Sequence, residues 1–176
     1  TNLRETPPSD AVDFYVAFVD PSGGSHDSMT LAVAHREGDK VVLDAIRERR
    51  SPFNPTDVVE EFAATLKDYR ISQVHGDRYA GEWPRDRFRS SGIAYETASL
   101  AKSGLYREML PMINARSVRL LNNETLIRQL VDLERRTGRG GRDTIDHPPS
   151  GRDDVANAVA GVLVLSTESQ RGPRIW

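Results

Sequence analysis

Apolar and polar positions divide this 176-residue chain into a strand-patterned opening and a longer alternation of helix and strand patterns. Residues 13–20 (DFYVAFVD) are an aromatic and β-branched run, which predicts a buried strand ending at Asp20. The turn-rich stretch PSGGSHDS follows. Two more strand patterns, MTLAVAHRE (29–37) and KVVLDAIRE (40–48), are joined by Gly38-Asp39, a hairpin signal. Three strands linked by short turns predict an antiparallel meander. The period then lengthens: Val58, Val59, Phe62, Ala63 and Leu66 fall on one helical face, with Thr56 as the expected N-cap.

Further along, ISQVHGD (71–77) predicts a short strand ending at Asp77, EWPRDRFRSSG (82–92) a short helix, and IAYETA (93–98) a strand. SGLYREMLPMINAR (103–116) predicts a helix kinked or broken at Pro111. SVRLLN (117–122) reads as a strand, NETLIRQLVDLERRTG (123–138) as a helix closed by Gly138, and RDTIDHP (142–148) as a last strand. A final helix is expected from about residue 150 to 166. The predicted class is α/β: a mixed sheet, with an antiparallel three-strand meander followed by parallel strands, and helices on both faces. Residues 1–12 read as a linker, 13–166 as one domain and 167–176 as a flexible tail.

With 38% hydrophobic and 28% charged residues, the composition is that of a soluble globular chain rather than a disordered one. The absence of cysteine excludes disulfides, thiolate metal sites and a cysteine nucleophile. The longest apolar run, 155–165, is interrupted by Asn157 and is too short to cross a bilayer. No signal-peptide pattern opens the chain, so a non-secreted protein without a membrane partner is expected. A net charge of −2 argues against general nucleic-acid coating, yet all but three of the 24 basic residues are arginine, the better bidentate phosphate ligand. A GC-rich genome produces the same bias.

The chemistry concentrates in acids. Asp20 and Asp77 end predicted strands, and functional groups in open α/β sheets gather outside the carboxyl ends of strands. If those strands are parallel neighbours the two acids converge, and the last helix can deliver Asp153 or Asp154 to the same place. Each also has a structural explanation. Asp20 and Asp77 suit turns, and Ser150-Gly151-Arg152-Asp153 matches a capping box with Asp153 in the acid position. Asp154 alone has no capping task. Small residues at Asn157, Ala158 and Gly161 let its face of the helix approach the sheet closely. Three or four carboxylates in one pocket cannot all stay ionised without a cation, and hard oxygen ligands suit Mg²⁺ or Mn²⁺.

FYVAFVDPSGG, VHGD and IDHPPSGRDDVANAVAG resemble the nuclease domain of phage terminase large subunits, which has an RNase H-like fold. The resemblance spans about residues 13–165; Val155 and Arg152 stand where that family more often has Leu and His. It implies an endonuclease that cuts concatemeric double-stranded DNA with two Mg²⁺ or Mn²⁺ ions, Asp20, Asp77 and Asp154 as ligands and Asp153 assisting. It also implies the cytoplasm of a bacterial host, and a packaging ATPase domain in the same full-length chain. A portal and a small terminase subunit are the further implied partners. No G-x-x-x-x-G-K-[ST] loop occurs here, so the ATPase is not part of these residues.

Phosphate contacts are expected from arginine: Arg78, Arg85, Arg87 and Arg89 after Asp77, and Arg135, Arg136, Arg139 and Arg142 around the glycine-rich RRTGRGGRD loop. Lys102, Arg107 and Arg152 are further candidates, with an ion-paired solvated surface as the alternative for each. His147 suits a proton shuttle, a phosphate contact or a plain loop residue, and His26 and Asp27 are weaker candidates for metal-bound water. Rival readings are a resolvase or transposase of the same fold, an actin-like kinase, and a non-catalytic RNase H-like DNA-binding module. The kinase lacks a second glycine-rich phosphate loop here.

Overall fold

Strand β1 (Tyr15–Asp20) pairs antiparallel with β2 (Met29–Glu37), and β2 with β3 (Lys40–Arg49), in the meander that the alternating pattern predicts. The computed structural model describes residues 4–77, 82–138 and 143–168. Gly38 closes the β2–β3 hairpin at φ 62°, a conformation open to glycine at little cost. On the other side of β1 runs β4 (Gln73–Gly76), parallel to it, with Val19 opposite Gly76. Strand β5 (Ala94–Thr97) continues parallel beyond β4, and β6 (Val118–Arg119) lies parallel to β3. The resulting sheet has the order β5-β4-β1-β2-β3-β6.

Because strand side chains alternate, each face of β1 has its own core. Tyr15, Ala17 and Val19 pack with α1 (Pro55–Asp68) and α2 (Trp83–Ser90) through Val58, Phe62 and Phe88. Phe18, on the other face, packs with α3 (Lys102–Asn114), α4 (Glu124–Asp132) and α5 (Asp154–Glu168). Helix α5 is the central member of this layer. Ala156, Ala158, Ala160 and Val159 are fully buried, and a Cβ placed on Gly161 would lie 2.4 Å from the Phe18 ring. The helix thus rests on β1 closer than any side chain at residue 161 permits.

Several elements differ from their sequence patterns. Asn54, not Thr56, caps α1: its Oδ1 accepts the Thr56 N–H at 2.9 Å, and Pro55, which lacks an N–H, takes the first helical position. Helix α3 is not broken at Pro111 but runs through it to Asn114, because the proline falls in the last turn. Of the predicted strand at 117–122 only Val118–Arg119 pairs as a strand.

Helix α4 stops at Asp132, where Leu133 turns extended, and Glu134–Thr137 forms strand β7 rather than more helix. It pairs antiparallel with β8 (Asp143–Asp146) in a two-stranded ribbon separate from the main sheet. Arg135 and Thr137 both bond the Asp143 carboxylate, cross-strand contacts that helical periodicity does not register. Helix α5 begins at Asp154, four residues later than expected, after a turn closed by the Gly151 N–H on the Pro148 carbonyl (2.8 Å). At the other terminus, residues 4–12 form no helix or strand but are bonded to the body. The Thr6 N–H donates to the Asp44 carbonyl (3.0 Å), Glu5 accepts the Ile46 N–H (3.0 Å), and the Tyr69 hydroxyl donates to the Thr6 carbonyl (2.5 Å). The tail beyond residue 168 lies outside the described residues.

Gly161→Ala is expected to destabilise the domain by roughly 1–3 kcal/mol through overpacking against Phe18. Thermal unfolding followed by circular dichroism measures this; an unchanged midpoint would show that α5 can lift off β1 without cost.

Candidate active site

The register of β1 and β4 sets the site. Val19 lies opposite Gly76, so the next residues, Asp20 and Asp77, leave the sheet side by side at the carboxyl ends of two parallel strands. The first residue of α5, Asp154, comes down on the same edge. These acids line an open cleft of 480 Å³ together with Asp153, Lys102 and Asn157. The three elements expected to converge, β1, β4 and the last helix, do meet at this cleft. Gly76 is required there for a reason of space: a Cβ would meet the Tyr95 hydroxyl at 2.2 Å. That hydroxyl donates to the Asp77 carbonyl at 3.2 Å and fixes the Asp77 main chain.

Asn157, one turn along α5 from Asp154 and expected only to be small, lines the same cleft. Its side-chain N–H donates to Asp77 Oδ2 at 3.4 Å, and its amide also hydrogen-bonds Asp20. Asn157 is 1% exposed, and its Oδ1 is buried with no hydrogen-bond partner among the described residues. The available signal was its place as the one amide inside the apolar run 155–165. Asp154 accepts the Ser28 N–H on Oδ2 at 3.3 Å, its one donor among the described residues. Ser28 in turn donates its hydroxyl to Glu48 at 3.1 Å.

Neither acid of the Asp153-Asp154 pair caps its own helix, and the capping box with Ser150 does not form. The cap comes from another helix: Gln129 of α4 accepts the Ala156 N–H on Oε1 at 2.9 Å in a buried contact. Asp153 turns instead toward α3. Its Oδ2 accepts from the Tyr106 hydroxyl (2.8 Å) and lies 3.0 Å from Lys102 Nζ. Lys102 also pairs with Asp146 at 2.7 Å. His147 Nε2 lies 3.8 Å from both Asp146 and Asp153, while its Nδ1 bonds the Pro148 carbonyl at 2.7 Å. Asp146, His147 and Asp153 form the cluster among the described residues whose ligand atoms lie close enough to share an ion.

The charges respond to this crowding. Burial pushes the Asp20 carboxyl well up, the Asn157 hydrogen bond opposes it, and the charges of Asp154, Asp77 and Asp153 add to the rise. Burial pushes Asp154 up to about 6, against the Ser28 hydrogen bond and with the charges of Asp27 and Asp153. Burial opposes the Lys102 ammonium, but its bond to Asp146 and the charge of Asp153 outweigh it and hold its pKa up. The Tyr106 phenol is pushed upward by burial and Asp153, so it remains a hydrogen-bond donor.

The basic candidates are dispersed. Arg78, Arg139 and Arg142 lie outside the described residues. Arg85 pairs with Glu82, Arg135 with Asp143 and Arg136 with Glu134. Arg87 and Arg89 are exposed on α2, and Arg107 is exposed on α3, its charge felt by Asp143. Arg152 is exposed at the mouth of the acidic cleft, and Lys102 lies within it. A second groove beside Arg152 is lined by Ser28, Arg50 and Arg128. Asp27 and His26 line a third hollow that also contains Asp20 and Asp154.

The donor set fits a divalent cation. Asp20, Asp77 and Asp154 offer hard oxygens, burial raises the carboxyl pKa of Asp20 and of Asp154, and the Asn157 Oδ1 is buried without a hydrogen-bond partner among the described residues. No helix among the described residues is long and apolar enough to cross a membrane.

A six-stranded mixed sheet with this order and a closing helix is the fold found in solved phage large terminase nucleases. Over 89% of this chain and 83% of the other, it superposes on the large terminase nuclease from thermophilic phage G20c with a TM-score of 0.77 at 17% identity. The nuclease domain of Thermus phage P74-26 large terminase gives 0.72 at 16% identity, over 89% and 81% of the two chains. The HK97 bacteriophage large terminase gives 0.70 at 14% identity; 92% of this chain is matched but only 41% of that protein. Crystal structures of the G20c nuclease have been determined with bound magnesium and with bound cobalt. No protein-family model matches the chain, and no curated protein matches it in sequence.

Asp154 binds a proton in the folded, metal-free protein that the unfolded chain would release between about pH 4 and pH 6, and Asp20 is shifted in the same direction. Asp154 therefore costs nothing below about pH 4, and its penalty grows as pH rises through about 6. The metal-free melting temperature should fall across this window, less steeply in Asp154→Asn. Mg²⁺ should raise it more at about pH 8 than at about pH 5. Differential scanning fluorimetry with and without Mg²⁺ checks both, and an equal Mg²⁺ effect at the two pH values would count against a cation among these acids.

Proposed function

We propose that this chain is the metal-dependent nuclease domain of a viral DNA-packaging terminase, an endonuclease acting on concatemeric double-stranded DNA. The observation that carries the reading is the meeting of Asp20, Asp77 and Asp154 around the buried Asn157 amide, in the fold of large terminase nucleases.

Asp20, Asp77 and Asp154 would hold Mg²⁺ or Mn²⁺, and Asp153 would assist with a second ion; a metal bound there would supply Lewis acidity toward water and the phosphodiester. The residues of the chain position the parts. Asn157 holds Asp20 and Asp77 at a fixed spacing, and the Ser28 N–H orients Asp154. The site offers no cysteine, and no protein nucleophile is needed. His147, which lines the cleft, serves as the proton relay. Arg152 at the cleft mouth, Arg107 on α3 and Arg135 and Arg136 of β7 contact phosphates without reading sequence, as do Arg78, Arg139 and Arg142 outside the described residues. The working partners are then double-stranded DNA, a packaging ATPase domain of the same full-length chain, a portal and a small terminase subunit, in the cytoplasm of a bacterial host.

Nicking of supercoiled plasmid with Mg²⁺ or Mn²⁺, and with EDTA, tests the reading. Wild type should nick only with metal, and Asp20→Asn and Asp77→Asn should not nick. Asn157→Ala, which removes the group that orients two ligands, should slow nicking about 10–100-fold. Nicking that survives EDTA or Asp20→Asn would overturn the assignment, and DNA binding without any nicking would favour the non-catalytic module.

A further inference from the structure

The two neighbouring acids at the start of α5 have opposite surroundings. Asp154 has a single main-chain donor among the described residues and otherwise faces the cleft. Asp153, 5% exposed, has both oxygens engaged. Oδ2 receives Tyr106 at 2.8 Å and Lys102 at 3.0 Å, and Oδ1 lies 3.4 Å from Lys102 Nζ. Lys102 and Tyr106 are four residues apart on α3, so one helix face presents both donors. The same ammonium reaches Asp146, 2.7 Å away at the end of β8. Asp146, Asp153 and His147 are also the three groups whose ligand atoms converge closely enough for an ion, and Lys102 Nζ is bonded to two of them.

We propose that Lys102 is a positioning residue that holds the place of a cation at this end of the cleft. It keeps Asp153 out of metal ligation until a DNA phosphate draws the ammonium away. This rests on the nuclease reading above. Without DNA, Asp154 faces the cleft with a single main-chain donor among the described residues, while Asp153 is already neutralised by a charge carried on the protein. A phosphodiester entering past Arg152 is the natural alternative partner for a Lys ammonium, a compact cation with three donors. Once Lys102 turns to it, Asp153 and Asp146 are left as uncompensated carboxylates and accept a divalent ion. Uptake of the second ion is thereby tied to the presence of substrate, and the bare protein is kept from assembling the full site.

Calorimetric titration of Mn²⁺ into the metal-free domain, without DNA, tests this. Wild type should show one main site. Lys102→Met, similar in length but neutral, should bind a further Mn²⁺ about tenfold or more tighter than wild type does. Lys102→Arg should behave as wild type, and adding Asp153→Asn to Lys102→Met should abolish the gain. Unchanged Mn²⁺ binding in Lys102→Met would overturn the proposal. Should that variant not fold, the wild type gives the answer: with only three lysines, Lys40, Lys67 and Lys102, the side-chain ¹⁵N signals are separable by NMR. The Lys102 signal should shift when a DNA duplex is added in EDTA, and a signal that DNA leaves unmoved overturns the proposal. The Mn²⁺ titration contains no DNA, so an uncut plasmid sinks the nuclease reading without altering its outcome.

Discussion

The closeness of α5 to the sheet governs the rest of this structure. A helix that carried ordinary side chains at Ala158 and Gly161 would stand off β1, and Asp154 would not reach the edge where Asp20 and Asp77 emerge. The Phe18 ring occupies the space that a Cβ on Gly161 would need, so the sheet and helix are in contact through ring and backbone. Glycine weakens a helix interior, and small side chains bury little apolar area. Here they serve distance, because an aspartate side chain is short and the site must be assembled from two strands and a helix at once.

Bringing the acids together creates an electrostatic debt, which the protein meets unevenly. At Asp153 the compensation is internal, from Lys102 and Tyr106. At Asp20 and Asp154 no such cation is supplied among the described residues, and burial together with neighbouring acids raises both pKa values. Asn157 belongs to neither arrangement. It joins Asp20 and Asp77 with its amide and keeps a buried carbonyl oxygen in reserve. One helix turn therefore carries an acid balanced by lysine, an acid left open, and an amide that spaces two more.

Much of the sheet was legible because alternation along a strand is a local property. The β2 pattern MTLAVAHRE coincides with Met29–Glu37, and the ends of β1 and β4 point to Asp20 and Asp77. What depended on distant partners was not legible. Leu133 continues the spacing of Leu126 and Leu130, so periodicity extends α4 across Glu134–Thr137, whereas pairing with β8 takes those residues into a strand. Ser150 and Asp153 have the letters of a capping box, but the cap is a glutamine on another helix. Lys102 read as a free base for phosphate because nothing in its neighbourhood along the chain reveals Asp146 or Asp153. Asn157 could have been noticed, since an amide in an otherwise apolar helix calls for a partner.

The borrowed cap has a consequence for local opening. The Ala156 N–H, at the point where α5 begins beside its acids, is shielded by Gln129 rather than by its own loop. Any excursion in which α4 frays or swings away exposes that amide to solvent and loosens the first turn of α5, while the loop at 147–152 remains as it was. Amide exchange at Ala156 therefore reports the breathing of α4, and the order of the acid site is inherited from a helix that contributes no acid to it.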